Sequence, residues 1–174
     1  MSKIFGELML LIEKDKRGKE FAVSLPYADL DAGSERFYIP ENVFIIGTMN
    51  TADRSLAMFD YALRRRFAFI DLQPRFMEPK FSKYLKKRGV SRKLTKKIVN
   101  RLNKLNDQIS SDRTLGRDYQ IGHSYFCPTD EGRAYDEKWY KEVVNYEIIP
   151  LLEEYWFDKD DDFIGDERNS LLGN

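Results

Sequence analysis

The sequence predicts an α/β chain, predominantly helical, with a short sheet-forming stretch in its first half and helices after it. Three observations predict this. Residues 43–48 form a mostly β-branched and aromatic run, with one Gly, between polar segments, which is the pattern of a buried strand in a parallel sheet. Directly after it, Leu56, Phe59 and Leu63 recur at helical spacing, so residues 55–66 read as an amphipathic helix. From Met77 onward the apolar residues keep to helical periods.

Taken in order, Ile4, Phe5, Leu8, Met9, Leu11 and Ile12 make one helix face, ended by Gly18. Residues 20–28 and 37–39 flank a polar loop containing Asp29, Asp31 and Gly33, which reads as a hairpin or insertion in which Pro26 limits regular pairing. The strand over 43–48 and the helix over 55–66 follow, then a short strand over 68–72. Helices are expected over 79–88, over 91–111 with Ser91 as cap, and over 136–157 with Pro150 kinking or dividing it. Residues 112–135 are Gly-, Asp- and Tyr-rich, so they read as a mostly irregular connection, and residues after about 165 are expected to fray. This places an α/β part at 1–76 and a helical part at 77–174.

The polar residues Asn50, Thr51 and Asp53 stand where the strand meets a loop, and open α/β sheets bind ligands beyond the carboxyl ends of their strands. Asn50 could there orient a water or a phosphate. The competing reading makes Asp53 or Ser55 a helix cap and gives Asn50 a turn backbone to satisfy. Arg64, Arg65 and Arg66 end the following helix. Interaction with the helix dipole and an Asp60–Arg64 pair would account for part of that charge. Successive helical residues point about 100° apart, so one arginine can face its own domain while another projects to a neighbour. That geometry suits an arginine finger, which stabilises phosphoryl-transfer charge from outside the nucleotide's own subunit.

Residues 45–69, which include Met49-Asn50-Thr51-Ala52-Asp53, resemble the McrB family, the AAA+ GTPase motor subunits of 5-methylcytosine-specific restriction systems. Residues 115–126 are similar to that family's helical lid, and residues 2–13 to the helix after its Walker B motif. The resemblance implies a partial AAA+ P-loop NTPase large subdomain, with the sensor-1 strand and its flanking helices, followed by a helical lid. It implies that Asn50 is the sensor-1 residue positioning the attacking water and that Asp60 is a second polar residue on that water. Arg65 and Arg66 match arginines that act across or hold the subunit interface, and Thr51 and Asp53 complete the nucleotide-facing signature. His123 and Ser124 fall near the base or the adjoining subunit. The implied cofactor is GTP, or ATP, with Mg2+ in the full-length protein, and none held tightly by this chain. The implied partners are an McrC-like nuclease and further copies in a hexameric ring, with DNA engaged mainly through other domains.

No Gly-x-x-x-x-Gly-Lys-[Ser/Thr] loop occurs, nor a strand ending in Asp-Glu to hold magnesium. The chain is therefore expected to be the carboxyl-terminal part of a motor domain, unable to hydrolyse GTP or ATP by itself. Cys127 is the single cysteine, so no internal disulfide forms and a metal cluster is not expected. No apolar run approaches the roughly 20 residues needed to cross a membrane, and the first residues lack a signal pattern, so cytoplasm is the expected location. Net charge is zero but uneven: residues 80–104 hold eleven Lys or Arg and no acid, whereas 130–167 hold fourteen acids and four bases. The basic helices can be a solvated face, dock against the acidic tail, or serve a non-enzymatic DNA- or protein-binding module.

The family's sheet order places the sensor strand between strands that this sequence lacks, leaving two unpaired edges. The isolated chain is accordingly expected to self-associate through residues 43–49 or to cover them by rearrangement. A monodisperse monomer with rapid amide exchange along that segment, measured by light scattering and deuterium exchange, would count against this.

Overall fold

A computed structural model describes residues 6, 8–24, 36–50, 65–130 and 132–173. The chain divides into two compact units, residues 1–71 and 72–174.

In the first unit, the expected amino-terminal helix is seen as one turn, α1 (Leu8–Leu11), followed by 3₁₀ turns at Lys14–Lys16 and Lys19–Phe21. Leu11, Ile12 and Ile39 make a small core, with Leu8, Phe21, Val23, Phe37 and Phe67 packed against it. Val23 and Phe37 form an antiparallel bridge, each donating its N–H to the other's carbonyl, at 2.9 and 2.8 Å. This matches the hairpin reading at its base, and the loop residues Asp29, Asp31 and Gly33 lie outside the described residues.

The sensor strand is not formed. Residues 43–50 take no regular secondary structure and are all exposed, with Phe44 at 88% and Ile46 at 91%. A strand is stable only when its backbone groups find ladder partners, and among the described residues the sole β pairing is the Val23–Phe37 bridge. The Val43 carbonyl accepts instead from the Arg17 guanidinium. The short strand expected over 68–72 is likewise absent, with Ile70 and Leu72 each 81% exposed. Both runs have strand-like composition, but composition supplies no partner.

The second unit is helical. Helix α2 (Pro79–Lys87) begins with proline in its first turn, where the missing N–H costs no bond. It ends in a Schellman motif: Val90 N–H reaches the Leu85 carbonyl at 3.0 Å and Gly89 N–H the Lys86 carbonyl at 3.1 Å. Gly89 sits at φ +83°, and the buried Val90 and Leu85 belong to the same core. Helix α3 (Arg92–Ser111) starts at Ser91, whose Oγ accepts from Leu94 N–H at 3.2 Å. Its stripe of Leu94, Ile98, Leu102, Leu105 and Ile109 is almost wholly buried.

The next helix runs through α4 (Glu137–Val143), a π turn at Val144–Ile148 and α5 (Ile149–Tyr155). Pro150 explains the π turn. Its ring cannot donate and would clash with the carbonyl four residues back, and Ile149 N–H bonds five residues back to Val144. The extra residue per turn keeps the helix continuous around the proline. Asp136 caps the start, accepting from Lys138 and Trp139 N–H.

The carboxyl-terminal segment does not fray. Helix α6 (Asp161–Leu172) is capped by Asp160, which accepts from Phe163 N–H, and it buries Ile164 and Leu171. The Leu171 carbonyl accepts from Tyr140 Oη at 2.7 Å and from the Arg101 guanidinium, tying the last turn to α4 and α3. Tertiary bonds thus hold a segment whose own polarity argues for disorder.

Gly89→Ala is expected to lower stability by about 1 kcal/mol, since open space surrounds the site and only the left-handed φ is penalised. Chemical denaturation of both proteins measures this, and an unchanged midpoint would refute it.

Candidate functional site

The candidate residues divide between the two units. Asn50, Arg65 and Arg66 belong to the first, and His123 and Ser124 to the second. Thr51, Asp53 and Asp60 lie outside the described residues.

In the first unit the two candidate arginines, Arg65 and Arg66, differ. Arg66 is half-buried and its guanidinium pairs with the Glu13 carboxylate, while Arg65 is exposed. An ion pair holding one arginine inward leaves the adjacent side chain on another bearing, as helical or turn geometry requires of neighbours. Asn50 is exposed at the end of the irregular run.

In the second unit, residues 115–126 contain two 3₁₀ turns, at Arg117–Tyr119 and His123–Phe126. His123 is half-buried, and its Nδ1 accepts from the Arg75 N–H at 3.2 Å. Its ring stands edge-on to Phe76 and Phe81, with centroids 6.3 and 6.0 Å away. An accepting Nδ1 places the proton of the neutral ring on Nε2. His123 therefore works at least partly as a packing and backbone-satisfying residue, and Ser124 beside it is exposed.

Two residues that position this block were not singled out from sequence. Asn106, buried on α3, accepts from Ile121 N–H at 2.7 Å and donates to the Ile121 carbonyl at 3.0 Å. One amide thus satisfies both backbone groups of a buried loop residue, which would otherwise carry the cost of unpaired polar atoms. Asp112 closes the other end: one carboxylate oxygen accepts from Thr114 Oγ1 at 2.6 Å, Thr114 N–H at 2.7 Å and Leu115 N–H at 3.3 Å. Its second oxygen accepts from the Trp156 indole N–H at 3.0 Å. The Asp-x-Thr sequence just past a helix was the available signal, since aspartate commonly bonds to backbone two residues on. Asn106 offered no comparable signal, because its partner is fifteen positions away.

Burial dominates the remaining perturbed groups. Tyr140 is pushed up to about 12 by desolvation, against the lowering effect of Arg101, and Tyr155 is also pushed up to about 12 chiefly by burial. Burial raises the Cys127 thiol as well. These shifts keep the groups neutral, as core members rather than reactive centres. Among the described residues no group of three His, Cys, Asp or Glu could hold a metal ion, and no helix is long and apolar enough to cross a membrane.

Residues 97–163 match the family model of the McrB alpha-helical lid domain. That span runs from within α3 to the start of α6 and contains the whole block held by Asn106 and Asp112. The chain is also 51% identical over 160 residues to the Type IV methyl-directed restriction enzyme EcoKMcrB subunit of Escherichia coli (strain K12). The alignment covers 91% of this chain and 34% of that subunit, so the chain spans about a third of its relative's length.

The donors on Asp112, led by the Thr114 hydroxyl, hold its carboxyl well below the ordinary value of 3.8. Because the folded pKa is depressed, the stabilisation is fully present above that value and is lost as pH falls below it. Asp112→Asn is expected to lower the denaturation midpoint near neutrality, with the gap to the parent chain shrinking as pH drops below about 4. A gap that stays constant with pH would contradict this origin.

Proposed function

We propose that this chain, whose residues 97–163 are an McrB lid domain, is the carboxyl-terminal part of the AAA+ motor domain of a modified-cytosine-specific restriction subunit. The motor would hydrolyse GTP, or ATP, in a hexameric ring and drive an McrC-like nuclease. Phosphate loop and magnesium carboxylates would come from protein preceding this chain, which supplies the remaining polar groups of the site.

In this reading the Asn50 carboxamide orients the attacking water by hydrogen bonding, and Asp60 accepts from the same water. Arg65 serves a neighbouring subunit's nucleotide as the arginine finger, offsetting charge that develops on the transferred phosphoryl group. Arg66 holds the segment in place through Glu13. Thr51 and Asp53 complete the nucleotide-binding signature with Asn50, and His123 and Ser124 are the lid's contribution to nucleotide binding. The observation that carries the division of labour is the Arg66–Glu13 ion pair beside an exposed Arg65. The resemblance of residues 45–69 to the McrB motors supports the chemistry assigned to Asn50.

The test needs the complete subunit. Asn50→Ala is expected to bind nucleotide normally and to lose turnover, and unchanged turnover would sink the water-positioning role. Arg65→Ala is expected to cut turnover by about 10³-fold, the usual scale for an arginine finger, with no change in thermal midpoint. Arg66→Ala should instead lower the midpoint, because it strands Glu13.

A further inference from the structure

The cations of α2 and α3 fall into two sets. Lys97 and Arg101 turn toward the unit: Lys97 pairs with Glu137 at 2.8 Å and lies 4.8 Å from the Tyr140 ring centre, and Arg101 bonds the Leu171 carbonyl. These two tie α3 to α4 and to the last turn of α6. The others do not share in that docking. Lys80, Lys83 and Lys87 on α2 and Lys93, Lys96 and Lys104 on α3 are all exposed. Within each helix they recur at steps of three, four or eight residues, away from the buried stripes of Phe81 and Leu85 and of Leu94, Ile98, Leu102 and Leu105. A helix advances about 1.5 Å per residue, so each set forms a row of positive charge along its axis.

Two further features bear on what such a face meets. No acid interrupts residues 80–104, and the single acid on the two helices, the exposed Asp107 one turn beyond Lys104, offsets the charge only at the far end of α3. No large hydrophobic side chain between residues 79 and 111 is exposed. Protein interfaces are anchored by buried aromatic and aliphatic side chains, and this face has none to offer. Phosphate backbones need no such anchor, since cations neutralise them and release counterions.

We propose that the outward faces of α2 and α3 form a sequence-independent binding surface for the phosphate backbone of duplex DNA. The choice of DNA among polyanions rests on the restriction-subunit reading. The surface would hold DNA against the lid without reading bases, since lysine ammonium groups act as point charges on phosphate.

The experiment uses this chain, without nucleotide or nuclease, and a fluorescein-labelled duplex of about 25 base pairs followed by anisotropy. Binding is expected at about 50 mM salt and should weaken about 100-fold or more by about 200 mM. The combined Lys83→Glu, Lys93→Glu, Lys96→Glu and Lys104→Glu variant should lose binding, whereas the same four positions changed to Arg should retain it. Lys138→Glu and Lys141→Glu on α4 serve as charge-reversal controls on a helix outside the proposed surface, and each should bind as the parent chain does. No binding of the parent chain at low salt, equal binding by the four-Glu variant, or tighter binding of polyglutamate than of duplex would each overturn the proposal. Because no turnover is measured, its failure is separate from any failure of Asn50 or Arg65 in the motor assay.

Discussion

Burial of one face of α3 is the constraint on which the helical unit depends. Leu94, Ile98, Leu102, Leu105 and Ile109 are between 0 and 2% exposed, and each such side chain contributes about 1.5–3 kcal/mol when fully removed from water. The same core takes in Phe81 and Leu85 of α2, Trp139, Tyr140 and Val143 of α4, Leu152 of α5, and Ile164 and Leu171 of α6. This twenty-residue helix therefore shares one core with every other helix of the unit.

Polar bonds then set the places where burial alone is indifferent. Hydrophobic contact has no direction, so a loop resting on α3 could slide along it. Asn106 removes that freedom by gripping both backbone groups of Ile121, and Asp112 fixes the loop's start to Trp156 at the far end of the helix containing α5. The Leu171 carbonyl does the same for the end of α6. Aromatic edges extend the arrangement: Phe126 meets Trp139 and Tyr140, and Phe76 meets both Phe81 and His123. The block from Leu115 to Phe126 is thus irregular in backbone and closely specified in position.

That separation connects structure with the proposed role. A lid domain in the proposed motor has to keep its internal arrangement, and a core with directional polar locks resists slippage. The charge on α2 and α3 is divided on the same principle. Lys97 and Arg101 are used internally, and the remaining cations stay on the outer face, where they cost little to keep hydrated.

Much of the helical unit was legible in the sequence because local chemistry decides it. Ser91 before an apolar stripe starts α3, Pro79 opens α2, and Pro150 marks the place where the long helix must adjust. Each acts through its own backbone or a neighbour within one turn. The first unit was less legible, since residues 43–48 have the composition of a buried strand but strand burial is a property of several segments together. The antiparallel contact of Val23 with Phe37 was readable only as a hairpin's outline. Asp161 to Leu172 reads as a polar tail until Leu171 finds the core and its carbonyl finds Tyr140 and Arg101. Sequence by itself determined α2, α3, the long helix divided at Pro150, the Ser91 cap and the apolar stripe of α3, because these follow from contacts a few residues apart. Only tertiary structure decided which carbonyls Asn106 and Tyr140 would hold, which arginine pairs with Glu13, and whether a strand-like run has neighbours, because those depend on groups distant in the chain.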